Sequence, residues 1–549
     1  MTDLATLVET ERQRFDVPGC AVAVLKDGEV VLADGFGLRD LATEAPVGPD
    51  TLFPIASDTK CFTAALLCQL AAGGDLDLDA PVLDVLPWFR MADDVATRMV
   101  SVRDLLAHRT GLPRHDLVWY GDVGLTLEGV ARSLAHLPLS RQLRQTWQYN
   151  NLAYSTAGHV TEVLTGLSWT DAVQQRLLDP LGMKATSFSA RDAADGDYAL
   201  PYSDVAGELV VQELPARSKL GPPGGIVSSV NDLAQWALAR LGKRTDVLDD
   251  TALRNLHAPA MIGGTSNPLF PERAPQGYAL GCQVEAYRGH KLVLHGGNLV
   301  GYSSNVAVVP TLDAAVIVLT NRHGTALRDA LLPLIVDQLA GLDPMPWGER
   351  YHELETTMRA GARASSAQRV AQEGRPPVRT ADELTGTYSH PAYGDVVLSA
   401  QGGELRADYH GLGDRLRLLH RDRDAYDLEL VEFEQRVPLV FTTDGDDAVD
   451  GLTVAFEPLV APIPFARALP TLDPAELEAL AGTYEMGPLT IVLRALPSGL
   501  QLTAPQVGTV PLVPRHGGSF GVAGQPLVRV VPQEAGLHVH PLGIFTKRD

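Results

Sequence analysis

The sequence predicts an α/β (α+β) protein: one domain with an antiparallel sheet flanked by helices and carrying a helical insertion, followed by two small all-β barrels. Three observations carry this expectation. Strand patterns lie near both ends of residues 1–342 with helical patterns between them, as in a sheet closed by its two termini. Residues 345–373 are rich in Arg, Glu, Ala and Gln with little apolar patterning, so 343–379 reads as a helical linker. Beyond it Leu384-Thr385-Gly386-Thr387-Tyr388 recurs as Leu480-Ala481-Gly482-Thr483-Tyr484, each copy followed by short alternating segments broken at Gly and Pro. That repeat predicts one barrel over 380–470 and a second over 471–549.

The elements follow in order. Ala21 to Leu25, a Lys26-Asp27-Gly28 turn and Glu29 to Ala33 form a hairpin signal. A turn at Leu52 to Ala56 leads into a long apolar helical stretch that closes at Gly73-Gly74. Ser101 faces Asp104 ahead of Leu105-Leu106, the pattern of a capping box. Helices are expected at 152–165, 169–178, 231–241 and 326–340, and adjacent strands at 291–294, 303–309 and 314–320.

With 549 residues the chain is too long for a single core. Its 45 basic against 67 acidic side chains give a net charge of -22, which repels nucleic acid and anionic membranes. The first twenty residues are amphipathic and acidic and no apolar run is long enough to span a bilayer, so a cytoplasmic location is expected. Cys20, Cys61, Cys68 and Cys282 lack CxxC or metal spacing and read as buried free thiols.

Three segments carry candidate chemistry. Ser57-Asp58-Thr59-Lys60 places a hydroxyl at the positive end of a helix with an amine one turn along the same face. A desolvated lysine can take a serine's proton, so Ser57 reads as a nucleophile. Trp147 to Tyr154 puts Tyr149 just before a helix, where its phenol could relay a proton, and Asn151 two residues on, where it could orient Lys60 and a substrate amide. His295-Gly296-Gly297-Asn298 ends the strand Leu292 to Leu294, its glycines letting a substrate backbone lie close. Each piece also has a plain reading: a helix N-cap with a solvated lysine, an aromatic staple with an asparagine cap, and a structural histidine before a turn.

Taken jointly, SxxK at Ser57–Lys60, YxN at Tyr149–Asn151 and HxG at His295–Gly297 resemble the class C β-lactamase and DD-peptidase group of serine hydrolases, with a β-lactamase/transpeptidase-like fold. Ser101 to Pro113 and Gly224 to Leu233 also look like segments of that family, and the resemblance covers roughly residues 5–340. It implies that Ser57 is acylated, that Lys60 and Tyr149 share the general base and acid work, and that Asn151 positions them. It also implies an oxyanion held between the backbone N–H groups of Ser57 and Asn298, beside Gly296 and Gly297.

Many members of the group carry Lys-Thr-Gly where this chain has His295-Gly296-Gly297. A largely neutral histidine removes the fixed cation that holds a free substrate carboxylate. D-aminopeptidases and some esterases of the group share HxG, and the D-aminopeptidase branch carries two lipocalin-like barrels, one loop of which helps shape the substrate pocket. Asp444-Gly445-Asp446-Asp447 could meet a substrate amine or be a solvated hairpin tip.

The expected function is therefore an acyl-enzyme serine hydrolase on amide bonds of short peptides, aminopeptidase-like, with D-residue preference open. Alternatives at the same site are carboxylesterase or β-lactamase/DD-peptidase activity, and, from another class, a penicillin-binding or ligand-sensing protein without turnover. The implied partner is a small molecule or short peptide, with no nucleic acid, no membrane, no metal and no cofactor; homo-oligomerisation is left open. Gly517-Gly518-Ser519-Phe520-Gly521 fits GxSxG, but a turn and strand follow it instead of the helix an α/β-hydrolase elbow needs. Neither HExxH nor an ExxLN element is present.

Overall fold

The computed structural model describes residues 3–548 except 121–123, 190–195, 206, 214–220, 264–268, 370–373, 432–434, 445–446, 470–472, 497–498, 506–507, 516–517, 523–524 and 534. It divides into two compact units. The first is Met1–Gln372 with Pro391–Tyr393 and Glu457–Ala461; the second is Glu373–His390, Gly394–Phe456 and Pro462–Asp549.

The first unit is built on an eight-stranded antiparallel sheet. Its strands are β1 (Gly19–Lys26), β2 (Glu29–Asp40), β3 (Ala45–Pro46), β4 (Arg273–Tyr278), β5 (Gln283–Tyr287), β6 (His290–Leu299), β7 (Tyr302–Val309) and β8 (Ala314–Thr320). The order is β3-β2-β1-β8-β7-β6-β5-β4, so the first strand of this sheet in sequence pairs with its last, Val22 opposite Val318. The two ends of this unit thus meet at mid-sheet, and the helical insertion lies between them in sequence. β1 is buried almost throughout because both of its faces are covered. Val22 and Val24 join a core with Leu331 and Ile335 of helix Leu327–Ala340, while Ala21, Ala23 and Leu25 point to the other face, which meets helix Val230–Arg240.

Helix Thr59–Ala72 is apolar on every side and buried from Thr59 to Cys68, the pattern of a helix enclosed by the domain. Phe62 stacks on Trp236 at 4.1 Å between ring centroids. The capping box forms at Ser101 and Asp104. Helices at Asn151–Thr165, Val230–Arg240 and Leu327–Ala340 fall within one residue of the expected bounds. The expected helix at 169–178 has a wide turn over Gln174–Leu178.

Within 343–379, read as a helical linker, a helix forms at Trp347–Arg369, and its first turns are buried rather than solvated. Trp347 is fully buried, packs with Phe270 and Tyr351, and donates from Nε1 to the Tyr287 hydroxyl at 3.0 Å. Trp347, Tyr351 and Leu354 form a helical stripe that the surrounding polar residues mask in sequence.

The second unit holds two eight-stranded β-structures. In the first, spanning Gly386–Arg467, the first strand pairs with the last and all neighbours are paired except Glu404–Tyr409 and Leu416–Asp422. The second, Gly482–Lys547, closes fully. The repeated sequence does the same job in each. A short helix ends at Leu384 or Leu480, the chain turns into a strand at a glycine with φ of 144° or 153°, and the tyrosine hydroxyl returns to the leucine carbonyl at 2.9 Å or 2.8 Å. A Cβ at Gly386 or Gly482 would also meet the side chain of Arg467 or Lys547 from the last strand.

Candidate active site

Ser57 sits in a single 3-10 turn, Ala56–Asp58, directly ahead of helix Thr59–Ala72. Ala56 has φ of 46°, a left-handed conformation that costs a non-glycine residue about 1–3 kcal/mol and bends the chain so that the serine is presented. The plain N-cap reading of Ser57 does not occur: Asp58 holds the cap position, and neither it nor Ile55 makes a side-chain capping bond.

Gly297 explains part of the HGGN sequence. A Cβ there would lie 2.1 Å from the Ile55 carbonyl oxygen and 2.3 Å from Ser304 Oγ. Glycine is therefore required at 297 because β6 packs against the turn that carries Ser57. Ser304 Oγ lies 2.8 Å from Ile55 O and 2.6 Å from Asp58 Oδ2. One hydroxyl proton cannot serve both oxygens, so a protonated Asp58 donating to Ser304 completes the set. Burial agrees, pushing the Asp58 carboxyl up to about 7.

Lys60 is fully buried rather than solvated. Its Nζ donates to the Pro223 carbonyl at 2.8 Å and to Ser57 Oγ at 3.2 Å. Burial, helped by the Arg114 cation, holds the ammonium well below the usual lysine range. The amine lies 4.7 Å from the centre of the Tyr149 ring. Burial pushes the Tyr149 phenol up, opposed by a hydrogen bond with Ser57. Tyr149, far in sequence from Ser57 and Lys60, thus meets both at one point.

The two asparagines after Tyr149 divide the expected work. Asn150 caps helix Asn151–Thr165, accepting from Ala153 N at 2.7 Å. The amide nitrogen of Asn151 donates to Asp116 Oδ1 at 3.0 Å. Asp116 Oδ2 accepts from Arg114 Nε at 2.6 Å, and Arg114 Cζ stands 5.1 Å from the Tyr149 ring centre.

His295 is almost fully buried, not open to a cleft. Gly296 O can only accept, so Nδ1 donates to it at 2.9 Å, and Nε2 accepts from the Tyr278 hydroxyl at 3.0 Å. Burial and the nearby Lys60 push its pKa down to about 3, so the ring is neutral. The strand does not end at Leu294: β6 continues to Leu299 because β7 pairs along its whole length. β5 stops pairing at Leu294, leaving that edge of β6 unpaired with β5 from His295 to Leu299. Asn298 is exposed on this edge, its Oδ1 accepting from Ser303 Oγ at 3.1 Å.

Sequence reading missed Arg114, Asp116, Tyr278, Pro223 and His108. His108 is fully buried among the rings of Tyr149, Tyr154 and Tyr278 and accepts from Asn150 N at 3.1 Å, its pKa pushed well down by burial. Only Arg114-His115-Asp116, three charged or polar residues beside the Gly111-Leu112-Pro113 turn, offered a signal. Asp447 is paired with Arg379 at 2.6 Å, and Gly445 and Asp446 lie outside the described residues. Ser519 is buried and runs into strand Phe520–Val522, so no hydrolase elbow forms there; Gly517 lies outside the described residues. All four cysteines are buried and free, with the sulfurs of Cys61 and Cys282 2.8 Å apart. Among the described residues no cluster of His, Cys, Asp and Glu is arranged for a metal, and no helix is long and apolar enough to cross a membrane.

The Beta-lactamase family model matches residues 4–340, the stretch that contains the whole of this site. The chain belongs to the beta-lactamase family. A second model, Domain of unknown function (DUF3471), matches residues 370–467. This beta-lactamase-family chain is 30% identical to the unguisins hydrolase ungD' of Aspergillus campestris over 416 residues, 72% of this chain and 77% of that protein. Among solved structures, the octameric penicillin-binding protein homologue of Pyrococcus abyssi aligns with 83% of this chain and 98% of its own at 23% identity and a TM-score of 0.56. D-amino acid amidase from Ochrobactrum anthropi SV3, in complex with L-phenylalanine amide, aligns with 62% of this chain and 98% of its own at 25% identity and a TM-score of 0.52.

Proposed function

We propose that the protein is a serine hydrolase that cleaves amide bonds of short peptides through an acyl-enzyme at Ser57, acting as an aminopeptidase. The observation that carries the reading is the buried Lys60 amine, 3.2 Å from Ser57 Oγ and against the face of Tyr149. Burial favours the neutral amine and the protonated phenol, so Lys60 takes the serine proton first and Tyr149 passes a proton to the leaving group.

Ser57 Oγ bonds to the scissile carbonyl carbon, and the oxyanion collects the N–H groups of Ser57 and Asn298. The C–N bond then breaks, and the amine leaves with the proton. Water, activated by the same groups, releases the acid and restores the hydroxyl. Along the edge of β6 that β5 leaves after Leu294, between His295 and Asn298, a peptide adds as a short strand. Neutral His295 offers no fixed charge to a substrate carboxylate, which favours substrates recognised by backbone over those recognised by a free C-terminus. The hydrolase and amidase relatives support amide chemistry.

A panel of L- and D-amino acid amides, p-nitrophenyl esters and nitrocefin, run on wild type and Ser57→Ala, tests the reading. Amide release that depends on Ser57, with a trapped acyl adduct seen by intact mass, is expected. Equal release by both proteins ends it, and release from esters alone moves the assignment to a carboxylesterase.

A further inference from the structure

Arg114 is the one cation other than Lys60 that faces the Tyr149 ring among the described residues. Its side chain is about half exposed, so it is not held by packing. It is held by hydrogen bonds: Nε donates to Asp116, Asp116 is fixed in turn by Asn151 Nδ2 at 3.0 Å and Trp119 Nε1 at 3.2 Å, and Asn150 Nδ2 donates to the Arg114 carbonyl at 3.3 Å. The residues that follow Tyr149 therefore fix a guanidinium against the face of Tyr149.

We propose that Arg114, clamped by Asp116, is a positioning residue that sets the pH range in which the Lys60 and Tyr149 pair can accept the serine proton. A cation there disfavours the ammonium of Lys60 by repulsion and favours the phenolate of Tyr149 by attraction. Both effects move the proton-accepting form to lower pH, so the sign is the same whichever group takes the proton.

The surrounding charges allow this. The helix Thr59–Ala72 side brings Lys60, the Cys61 thiol and Asp58, whose carboxyl, raised to about 7 by burial, ionises within the tested pH range in wild type and Arg114 variants alike. The loop of Arg114 brings Asp116, which binds the guanidinium and whose carboxylate acts on Lys60 and Tyr149 with the opposite sign but more weakly than Arg114, and Glu457 also lies near the guanidinium. His108 and His295 are buried and neutral, and Tyr154 and Tyr278 keep their protons because burial pushes both phenols up. Arg114 is thus the fixed positive charge on the pair.

The inference rests on Ser57 being the nucleophile, so its test does not require amide turnover. A fluorophosphonate reacts once: a Ser57 Oγ–P bond forms, the P–F bond breaks, fluoride leaves, and the serine proton passes to the Lys60 and Tyr149 pair. The rate of that labelling, read by intact mass from pH 5 to 10, is compared for wild type, Arg114→Gln and Arg114→Lys, with Ser57→Ala as the blank. In Arg114→Gln the acidic limb should move up by about one pH unit, a rate roughly ten-fold lower on the limb, with the alkaline plateau within about three-fold of wild type. Arg114→Lys, which keeps the charge, should lie between the two.

A limb unmoved in Arg114→Gln, or a loss of rate equal at every pH and not recovered by lysine, overturns the proposal. Failure of the peptide reading is separate: it shows as absent amide turnover in a wild type that still labels at Ser57.

Discussion

The candidate active site and the barrel seams share one pair of parts, a tyrosine with a basic side chain against its ring. Tyr149 has Lys60 at 4.7 Å and Arg114 at 5.1 Å; Tyr388 has Arg467 at 5.7 Å and Tyr484 has Lys547 at 5.8 Å. What differs is the partner of the hydroxyl. In the barrels it donates to a backbone carbonyl, an acceptor that never returns a proton, so the tyrosine is a latch. In the cleft it meets Ser57, which can give and take one, with an amine of lowered pKa 3.2 Å from the same oxygen. What sets Tyr149 apart is the partner of its hydroxyl and the buried amine beside that partner, since the barrel tyrosines also have a basic side chain against the ring.

The largest effect expected from that difference is at the amine. Lys60→Ala should slow acylation by a factor of roughly hundreds to thousands, the usual size of a general-base contribution, with the fold intact by circular dichroism. Single-turnover acylation measures it, and a loss of only a few fold would mean that the lysine is, like the barrel cations, merely packed against a ring.

A second prediction concerns how closely the cleft is packed. Gly297→Ala drives a methyl into the Ile55 carbonyl, 2.1 Å away, and neither backbone can yield easily. A loss of about 1–3 kcal/mol is expected from denaturant unfolding, as for other overpacked sites, together with loss of acylation because the displaced turn carries Ser57. The same change at Gly402, where a Cβ meets nothing within 4 Å, costs only the strain of a left-handed residue at φ 63°.

The first unit should also respond to acid through neutral histidines, two at the site, His295 and His108, and one at the end of helix Asp250–His257. His295 and His257 are held at about 3 and His108 well below its ordinary value, all by burial. Between about pH 6.5 and 3 the unfolded chain binds protons that these rings refuse, so each removes about 1.4 kcal/mol of stability per pH unit as pH falls. Asp58, raised to about 7, works the other way in that window because the folded carboxyl is already protonated, and offsets one of the three. Unfolding curves from pH 7 to 4.5 should therefore show a steep acid loss, with His295→Gln shallower by close to one proton. An unchanged slope would mean that His295 binds a proton in the folded protein.

Much of this architecture was legible because it is periodic or repeated. The meeting of the first unit's two ends in one sheet followed from strand patterns at 21–33 and 303–320, and both barrels from a five-residue repeat whose chemistry the structure explains. At the site, Ser57, Lys60 and Tyr149 stood out as motifs and lie together. The illegible parts depend on side-chain direction across long separations. That Asn151 turns to Asp116, that His295 points inward to Tyr278, and that Gly297 answers to Ile55 are facts about packing between distant segments, which no local spacing encodes. Trp347 was hidden for the opposite reason, a short buried stripe inside a charged helix.

The smallest expected effect tests the latches themselves. Tyr388→Phe and Tyr484→Phe each remove one hydroxyl from a leucine carbonyl and leave the ring and its cation in place. Each should lower stability by about 1 kcal/mol, the net worth of one hydrogen bond, without moving the pH dependence of Ser57 acylation. Because the two tyrosines sit in different barrels and share no partner, the double variant should lose about the sum. A loss well beyond the sum would show that the barrels unfold as one cooperative body. A near-zero loss would mean that the cation against the ring, the feature shared with Tyr149, is what holds the seam closed.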